Sequence, residues 1–180
     1  MDEIVEKAMA RWPNVPDCYG WLGLDARGDW YLRDDAAQAA GPFPEGRGAV
    51  LRHAQLLAFI ERNYGATEDG RWYFQNGPQR VFVELEATPW IWRIAAAPQF
   101  DVTSHTGRPA AEVRTAFTDE VGRLYLETEI GVGLVHTQDM HLAADAIESS
   151  HWKLAEDIVS AENLPELHHF QRHPKPTVAV

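Results

Sequence analysis

The segment "VHTQDMH" carries the side chains whose types best suit a metal site. It contains His136, Asp139 and His141, and His105 is a fourth possible ligand. Imidazole and carboxylate groups of this kind are common zinc ligands. His136 and Asp139 would share a face on a helix, whereas Asp139 and His141 would share one on a strand, so a turn is needed to gather all three. The simpler alternative is that Asp139 or the adjacent Thr137 caps a helix beginning near His141.

A second set of candidates lies in the aromatic stretch "DGRWYFQNGPQRVFVELEATPWIWRI". Its large apolar residues alternate with polar ones at the two-residue period of a strand, which usually indicates the wall of a core. The polar and aromatic side chains of the same stretch could instead line a groove for a small ligand. The residues that would line such a groove are Arg80, Glu84, Trp90, Trp92 and Arg93.

The motifs of several enzyme classes are absent from the sequence. There is no His-Glu-x-x-His, no Gly-x-Ser-x-Gly, no phosphate-binding Gly-x-x-x-x-Gly-Lys and no Cys-x-x-Cys. The carboxylates of Glu84 and Glu86 share one strand face with Arg80, so a charged, solvated sheet face explains them without catalysis. No cofactor is expected from these patterns.

The charge balance excludes other classes of partner. The formal net charge is −11, and no stripe of basic residues interrupts it. Because neutralisation of phosphates supplies most of the affinity for nucleic acids, neither a nucleic acid nor an acidic membrane surface is an expected partner. No apolar run approaches the ~18 residues of a membrane span, and the amino-terminal residues do not resemble a secretory signal. A cytoplasmic location is therefore the expectation.

Hydrophobic periodicity predicts an α+β fold. Helices are expected at residues 2–12 and about 48–64, followed by a three-stranded antiparallel meander over residues 72–94. A second set of strands and helices follows residue 110. We therefore predict an N-terminal α+β module at residues 1–97 and a smaller α+β module at residues 110–170. The two would join near residues 96–111, and residues 171–180 would form a loose tail.

Three turn sequences are similar to one another. They are "DARGDWYL", "EDGRWYF" and "DEVGRLYL", each with an acidic residue, a glycine and then a tyrosine. The tyrosines are Tyr31, Tyr73 and Tyr125, whose unequal spacings exclude a solenoid of fixed period. Either this is a common hairpin style or the chain contains a duplicated unit of helix and sheet.

The segments "GDWYLRDD", "LRHAQLLAFIERNY" and "EDGRWYFQNGPQRVFVELEATPWI" together resemble the bacterial family named domain of unknown function twelve-eighty-five, or a sister group. Pro78, Arg80 and Glu84 stand where that family has a Pro-x-Glu-Arg-like entry to an acidic strand, but Gln79 replaces the glutamate. The match covers roughly residues 20–92. The resemblance implies an α+β fold of repeated motifs in two similar modules, no established activity, and a suspected role in signalling or regulation.

These observations favour a non-catalytic, regulatory module that binds a small molecule or a protein partner. An open apolar sheet face would also favour a homodimer. The alternative is an enzyme without a linear motif that uses His136, Asp139 and His141. The enzyme requires these side chains to converge in a cleft, whereas the binding module requires a groove lined by aromatic residues and by Arg80 or Arg93.

Overall fold

The chain folds into two units, each built on its own six-stranded sheet. The structure, a computed structural model, describes residues 1–176. The first unit contains residues 1–25, 29–86 and the described residues from Phe170 onward, and the second contains residues 26–28 and 87–169. After a brief crossing at residues 26–28, the chain passes to the second unit at Glu86 and Ala87 and returns to the first at His169 and Phe170. The predicted junction at residues 96–111 lies within the second unit.

The first unit contains three helices and six strands. In chain order they are α1 (Glu3–Arg11), β1 (Cys18–Leu24), β2 (Trp30–Leu32), α2 (Asp35–Ala39), β3 (Ala49–Val50), α3 (Ala54–Arg62), β4 (Tyr64–Ala66), β5 (Trp72–Asn76) and β6 (Gln79–Leu85). The predicted helix at residues 2–12 is confirmed. The predicted helix at 48–64 begins later, because His53 adopts extended backbone and its imidazole caps the helix by accepting from the backbone N–H of Leu56.

In the first sheet the strand order is β3-β2-β1-β6-β5-β4. The central pair, β1 and β6, is parallel, and every other pairing is antiparallel. One face of that central pair is the core, where Leu22, Leu24, Val83 and Leu85 are each no more than 2% exposed. Burial of these side chains is the main source of stability for the sheet.

The second unit contains six strands, two α-helices and two short 3-10 turns. In chain order they are β7 (Trp90–Ile94), β8 (Val102–Ser104), β9 (Pro109–Ala110), β10 (Val113–Thr118), β11 (Leu124–Thr128), β12 (Gly131–Val135), a 3-10 turn (Thr137–Asp139), α4 (Met140–Glu148), a 3-10 turn (Ala161–Asn163) and α5 (Leu164–Leu167).

The second sheet repeats the topology of the first. Its order is β10-β11-β12-β7-β8-β9, with the parallel pair β7 and β12 at the centre. In both sheets the first three strands run from the centre to one edge, and the next three return from the opposite edge to the centre. The predicted α+β fold with two related modules is confirmed.

The predicted meander over residues 72–94 is wrong in its third strand. β5 and β6 form a hairpin, but β7 pairs with β8 and β12 in the second sheet. Four of the five residues of β7 are buried, which suits a central strand with neighbours on both sides. Alternation of apolar residues identified the strand, but it does not specify which strands pair with it.

The described part of the predicted loose tail is bound to the first unit. The backbone N–H of Leu85 donates to the Arg172 carbonyl at 2.8 Å, and that of Gln171 donates to the Gly70 carbonyl at 2.9 Å. Pro174 is buried. Residues 177–180 of the predicted tail lie outside the described residues. None of the helices in residues 1–176 is long and apolar enough to cross a membrane.

Candidate functional site

On one face of the first sheet, Arg80 of β6 lies directly opposite Gln75 of β5, and Phe82 lies directly opposite Tyr73. Side chains of directly opposed residues lie side by side on the same face. The guanidinium carbon of Arg80 lies 5.2 Å from the ring centroid of Tyr73, at the range of a cation–π contact. Within residues 1–176, the half-buried side chain of Arg80 forms no hydrogen bond and no ion pair.

The neighbouring Arg71, in contrast, has its charge paired. Its guanidinium carbon lies 4.8 Å from the ring centroid of Phe82, which in turn stacks on Tyr19 at 4.6 Å. Arg71 forms a salt bridge to Asp69 at 2.9 Å and donates to the Tyr19 hydroxyl at 3.0 Å. The pKa of Asp69 is lowered by its hydrogen bonds from Thr67 and Arg71. Within residues 1–176, the guanidinium of Arg71 is therefore paired and that of Arg80 is not.

Arg80 lines two cavities. The first, which we name the turn cavity, has a volume of about 520 Å³. It is lined by Ala66, Thr67, Glu68, Asp69, Arg71, Tyr73 and Arg80. The second, which we name the helix cavity, has a volume of about 250 Å³ and lies at the carboxyl end of α1. It is lined by Met9, Trp12, Pro13, Val15, Asp17, Gln75, Pro78 and Arg80.

Glu84 lies on the same face of β6 as Arg80 but lines a different cavity, of about 360 Å³. Its carboxylate is 2.6 Å from Nδ1 of His173. The same cavity is lined by Arg33, whose guanidinium donates to the carbonyls of Gly46, Gly41 and Gly20 at 2.6, 2.6 and 3.1 Å. Arg33 therefore holds the loop around α2, and Glu84 anchors the segment that follows Phe170.

The other three candidates for ligand binding lie in the second unit and have structural contacts. Trp90 and Trp92 are each no more than 2% exposed, and their indole N–H groups donate to the carbonyls of Ile130 and Leu126. Arg93 forms a salt bridge to Asp139 at 2.6 Å. The structure therefore places Arg80 and Glu84 on one sheet face of the first unit and these three residues elsewhere in the chain.

Three of the four metal candidates, His105, His136 and Asp139, have side-chain hydrogen bonds of their own. His136 caps the 3-10 turn, because its Nδ1 accepts from the backbone N–H of Gln138 at 3.1 Å. Asp139 accepts from Arg93 and from the backbone N–H of Ile94. His141 is exposed. Across residues 1–176, no three His, Cys, Asp or Glu side chains are arranged so that they could hold a metal ion.

The electrostatics of these residues follow from their contacts. Burial raises the pKa of Asp139, but the hydrogen bonds from Arg93 and Ile94 and the charge of Arg93 outweigh it, so its pKa lies below the ordinary value. Burial lowers the pKa of His105 to about 3. His105 Nδ1 accepts from the backbone N–H of Ile91 at 3.3 Å, which is a role for the neutral ring.

Sequence reasoning missed the residues that surround Arg80 in the helix cavity, above all Gln75. The available signal was the two-residue period, which puts Gln75 on the same face as Tyr73. The turn of the hairpin consists of Gly77 and Pro78, and this sets Gln75 opposite Arg80. The contributions of Trp12 and Asp17 had no comparable signal, because they come from a helix end and a loop that precede the sheet in the sequence.

The fold defines an α+β protein of two related six-stranded modules, and one sheet face of the first module carries Arg71 and Arg80. The chain belongs to the DUF2944 family, whose model, described as "Protein of unknown function (DUF2946)", matches residues 1–177. Comparison with curated proteins gives no match.

Two solved structures are similar to this chain. A DUF1285 family protein from Silicibacter pomeroyi DSS-3 superposes with a TM-score of 0.50 at 14% identity, over 81% of this chain and 84% of that one. A DUF1285 family protein from Shewanella baltica OS155 gives a TM-score of 0.47 at 17% identity, over 69% of this chain and 91% of that one. The first of these shows a shared fold, and the predicted resemblance to that family is confirmed.

Proposed function

We propose that this chain is a non-catalytic, regulatory module that binds a small organic ligand on the arginine-bearing face of its first unit. The observation that carries the proposal is the state of Arg80. Its guanidinium carbon lies 5.2 Å from the ring centroid of Tyr73, yet the guanidinium has no anion or carbonyl partner within residues 1–176. A guanidinium is suited to bind a carboxylate or a phosphate, so an arginine without such a partner beside two cavities favours an anionic ligand.

The chemistry of Arg80 indicates what part of a ligand it would hold. A planar guanidinium binds a carboxylate or a phosphate with two parallel hydrogen bonds. The protein carries a formal net charge of −11, so a free cation on its surface is an attractive point for such a group. Contact with Tyr73 limits the freedom of the side chain and reduces the entropy that binding must overcome.

Two further observations support binding over catalysis and support a regulatory role. The imidazole groups of His105 and His136 accept hydrogen bonds from backbone N–H groups, which suits structural positions. The helix cavity is lined jointly by α1, the loop that follows it and the β5–β6 hairpin. A ligand there would join three segments of the first unit and stabilise one arrangement of them.

The test is thermal unfolding of the full chain against a panel of monocarboxylates, dicarboxylates, amino acids, sugar phosphates and nucleotides. We expect at least one class to raise the Tm in a saturable way. In Arg80→Gln the same ligand should bind roughly tenfold to a hundredfold more weakly, because a charged hydrogen-bonded contact contributes about 1.5–3 kcal/mol.

The matched control is Arg52→Gln, which removes the same charge from an exposed residue that lines neither cavity. Its ligand response should equal that of the unmodified protein. A panel without any shift, or a shift that Arg80→Gln leaves unchanged, would overturn the proposal.

A further inference from the structure

We propose that the ligand of the helix cavity is a free α-amino acid with an apolar side chain, an inference that rests on the binding function proposed above. The helix cavity presents a buried hydrogen-bond acceptor, an arginine and a carboxylate beside an apolar wall. These are the complements of an ammonium group, a carboxylate and an aliphatic or aromatic side chain.

The first element is Gln75, which is 1% exposed. Its amide Nε2 donates to the Gly77 carbonyl at 2.9 Å, and this bond fixes the orientation of the amide, since the opposite orientation would set two oxygens against each other. The other amide atom, Oε1, is buried and has no hydrogen-bond partner within residues 1–176. A buried acceptor without a donor costs free energy, so a ligand N–H at this point would be stabilising.

The second element is the position of Arg80 relative to that acceptor. Gln75 and Arg80 are directly opposed across the β5–β6 ladder, so their Cβ atoms are about 4.5–5.5 Å apart. An acceptor that lacks a donor therefore stands beside a cation that lacks an anion. A ligand that satisfies both must carry a donor and an anionic group close together, as an α-amino acid does on its single α-carbon.

The third element is Asp17, an exposed carboxylate on the loop after α1 that also lines the cavity. Its side chain forms no hydrogen bond or salt bridge within residues 1–176, and its charge interacts with that of Arg71. Together with Arg80 it gives the cavity one charge of each sign, which matches a zwitterion. A simple carboxylic acid would leave the buried Gln75 Oε1 without a donor, and a simple amine would leave Arg80 without an anion.

The fourth element is the apolar wall, formed by Met9, Trp12, Pro13 and Val15. Trp12 is 51% exposed, which is unusual for so large an apolar residue and leaves indole surface for a ligand side chain to cover. The volume of about 250 Å³ is below the range of about 300–1,000 Å³ that drug-sized ligands occupy, so the cavity selects a small molecule.

The test is isothermal titration calorimetry of the full chain with L-leucine and with four analogues that each lack one group. The analogues are 4-methylpentanoate without the ammonium, isoamylamine without the carboxylate, N-acetyl-leucine without the positive charge, and glycine without the side chain. We expect saturable binding of leucine and at least about tenfold weaker binding of each analogue. The first three leave Arg80, Asp17 or the buried Gln75 acceptor without its partner, and glycine leaves the apolar wall uncovered.

Two variants locate the site. Gln75→Leu removes the buried acceptor, but it also removes the bond to Gly77 and could impair folding. Asp17→Asn changes only an exposed residue and keeps the proposal testable whatever Gln75→Leu does. We expect Asp17→Asn to weaken the binding of leucine at least several-fold and to leave the binding of 4-methylpentanoate unchanged. The control is Asp101→Asn, at an exposed residue of the second unit, which should change the binding of neither compound.

The outcomes separate this inference from the function on which it rests. If leucine fails to bind but another class of the panel binds in an Arg80-dependent way, the amino-acid inference is overturned and the binding function stands. If leucine and 4-methylpentanoate bind equally, or Asp17→Asn leaves leucine binding unchanged, the inference is also overturned. If no compound of either series binds, both proposals are overturned.

Discussion

The hydroxyl of Tyr125 donates to Asp119 Oδ2 at 2.9 Å, across a hairpin turn in which the two residues are six positions apart. The same carboxylate accepts from the backbone N–H groups of Val121 and Arg123 and from the Arg123 guanidinium. Burial raises the pKa of Asp119, but these hydrogen bonds lower it further than burial raises it. Asp119 is therefore the central hydrogen-bond acceptor of the β10–β11 hairpin.

The β1–β2 hairpin repeats this arrangement. The Tyr31 hydroxyl donates to Asp25 Oδ2 at 3.2 Å, and the backbone N–H of Asp29 donates to Asp25 Oδ1 at 2.9 Å. Here the guanidinium comes from Arg47, 22 residues after Asp25 in the sequence. The two hairpins thus use one hydrogen-bond pattern with different arginines.

We predict that Asp119→Ala lowers the free energy of unfolding by about 2–4 kcal/mol, because four donors lose a buried, charged acceptor. Tyr125→Phe removes only one of these bonds and should cost about 1 kcal/mol. Urea unfolding near neutral pH measures both. A folded-state pKa below 3.8 means that this contribution is present at higher pH and disappears as the pH falls below that value.

Equal losses of unfolding free energy in Asp119→Ala and Tyr125→Phe would contradict the role of Asp119 as the central acceptor, since they would assign the whole effect to the tyrosine. Asp157→Ala is the control, because Asp157 is exposed and its side chain accepts no such set of hydrogen bonds from residues 1–176. It should change the free energy of unfolding by less than about 0.5 kcal/mol.

The turn repeat shows how far the sequence could predict the fold. In four hairpins a side-chain oxygen accepts from the backbone N–H four residues later, and the glycine three residues after the oxygen-bearing residue has a positive φ. The four residues that supply the oxygen are Asp25, Thr67, Ser104 and Asp119. Three of these turns were visible as similar segments within the sequence, but the second was matched to the others through its acidic residues instead of through Thr67. The turn at Ser104 was missed because a hydroxyl there replaces the carboxylate.

Periodicity predicted elements that are stabilised locally but not the pairing between distant strands. The helices α1 and α3 and the β5–β6 hairpin followed from the spacing of apolar residues and from the turn residues. The partner of β7 is β12, about 40 residues later, and nothing in the strand itself specifies it. Likewise the partner of Asp139 is Arg93, 46 residues away, so neighbouring histidines suggested a metal site more readily than a salt bridge.

Gly133 offers a second test, because it allows β12 to approach the tryptophans of β7. A Cβ at this position would lie 2.8 Å from the Trp90 Cβ and closer still to the Trp92 indole nitrogen. The indole of Trp92 cannot easily move, since it is fully buried and donates to the Leu126 carbonyl at 3.1 Å. We predict that Gly133→Ala lowers the free energy of unfolding by about 1–3 kcal/mol through overpacking, as measured by urea unfolding.

The matched control for this change is Gly65→Ala on β4. A Cβ there would meet only the Tyr73 hydroxyl at 4.0 Å, so the same substitution in a strand should change the free energy of unfolding little or raise it slightly. If Gly133→Ala proved as harmless as Gly65→Ala, the close approach of β12 to Trp90 and Trp92 would be refuted.

His105 predicts a particular dependence of stability on pH. The residue keeps some exposure as a whole, but its Nε2 is buried, and burial lowers the pKa from 6.5 to about 3 in the folded protein. Between these values the unfolded chain binds a proton that the folded protein does not. Stability is therefore lost as the pH falls from 6.5 towards 3, by up to about 1.4 kcal/mol per pH unit.

The variant that isolates this effect is His105→Asn. The asparagine Oδ1 can accept from the backbone N–H of Ile91 as the imidazole Nδ1 does, but it does not titrate. Urea unfolding at several pH values between 7 and 4 should show a shallower loss of stability in the variant, because the other histidines contribute equally to both proteins. Parallel curves for the two proteins would mean that the buried imidazole of His105 takes up its proton in the folded state.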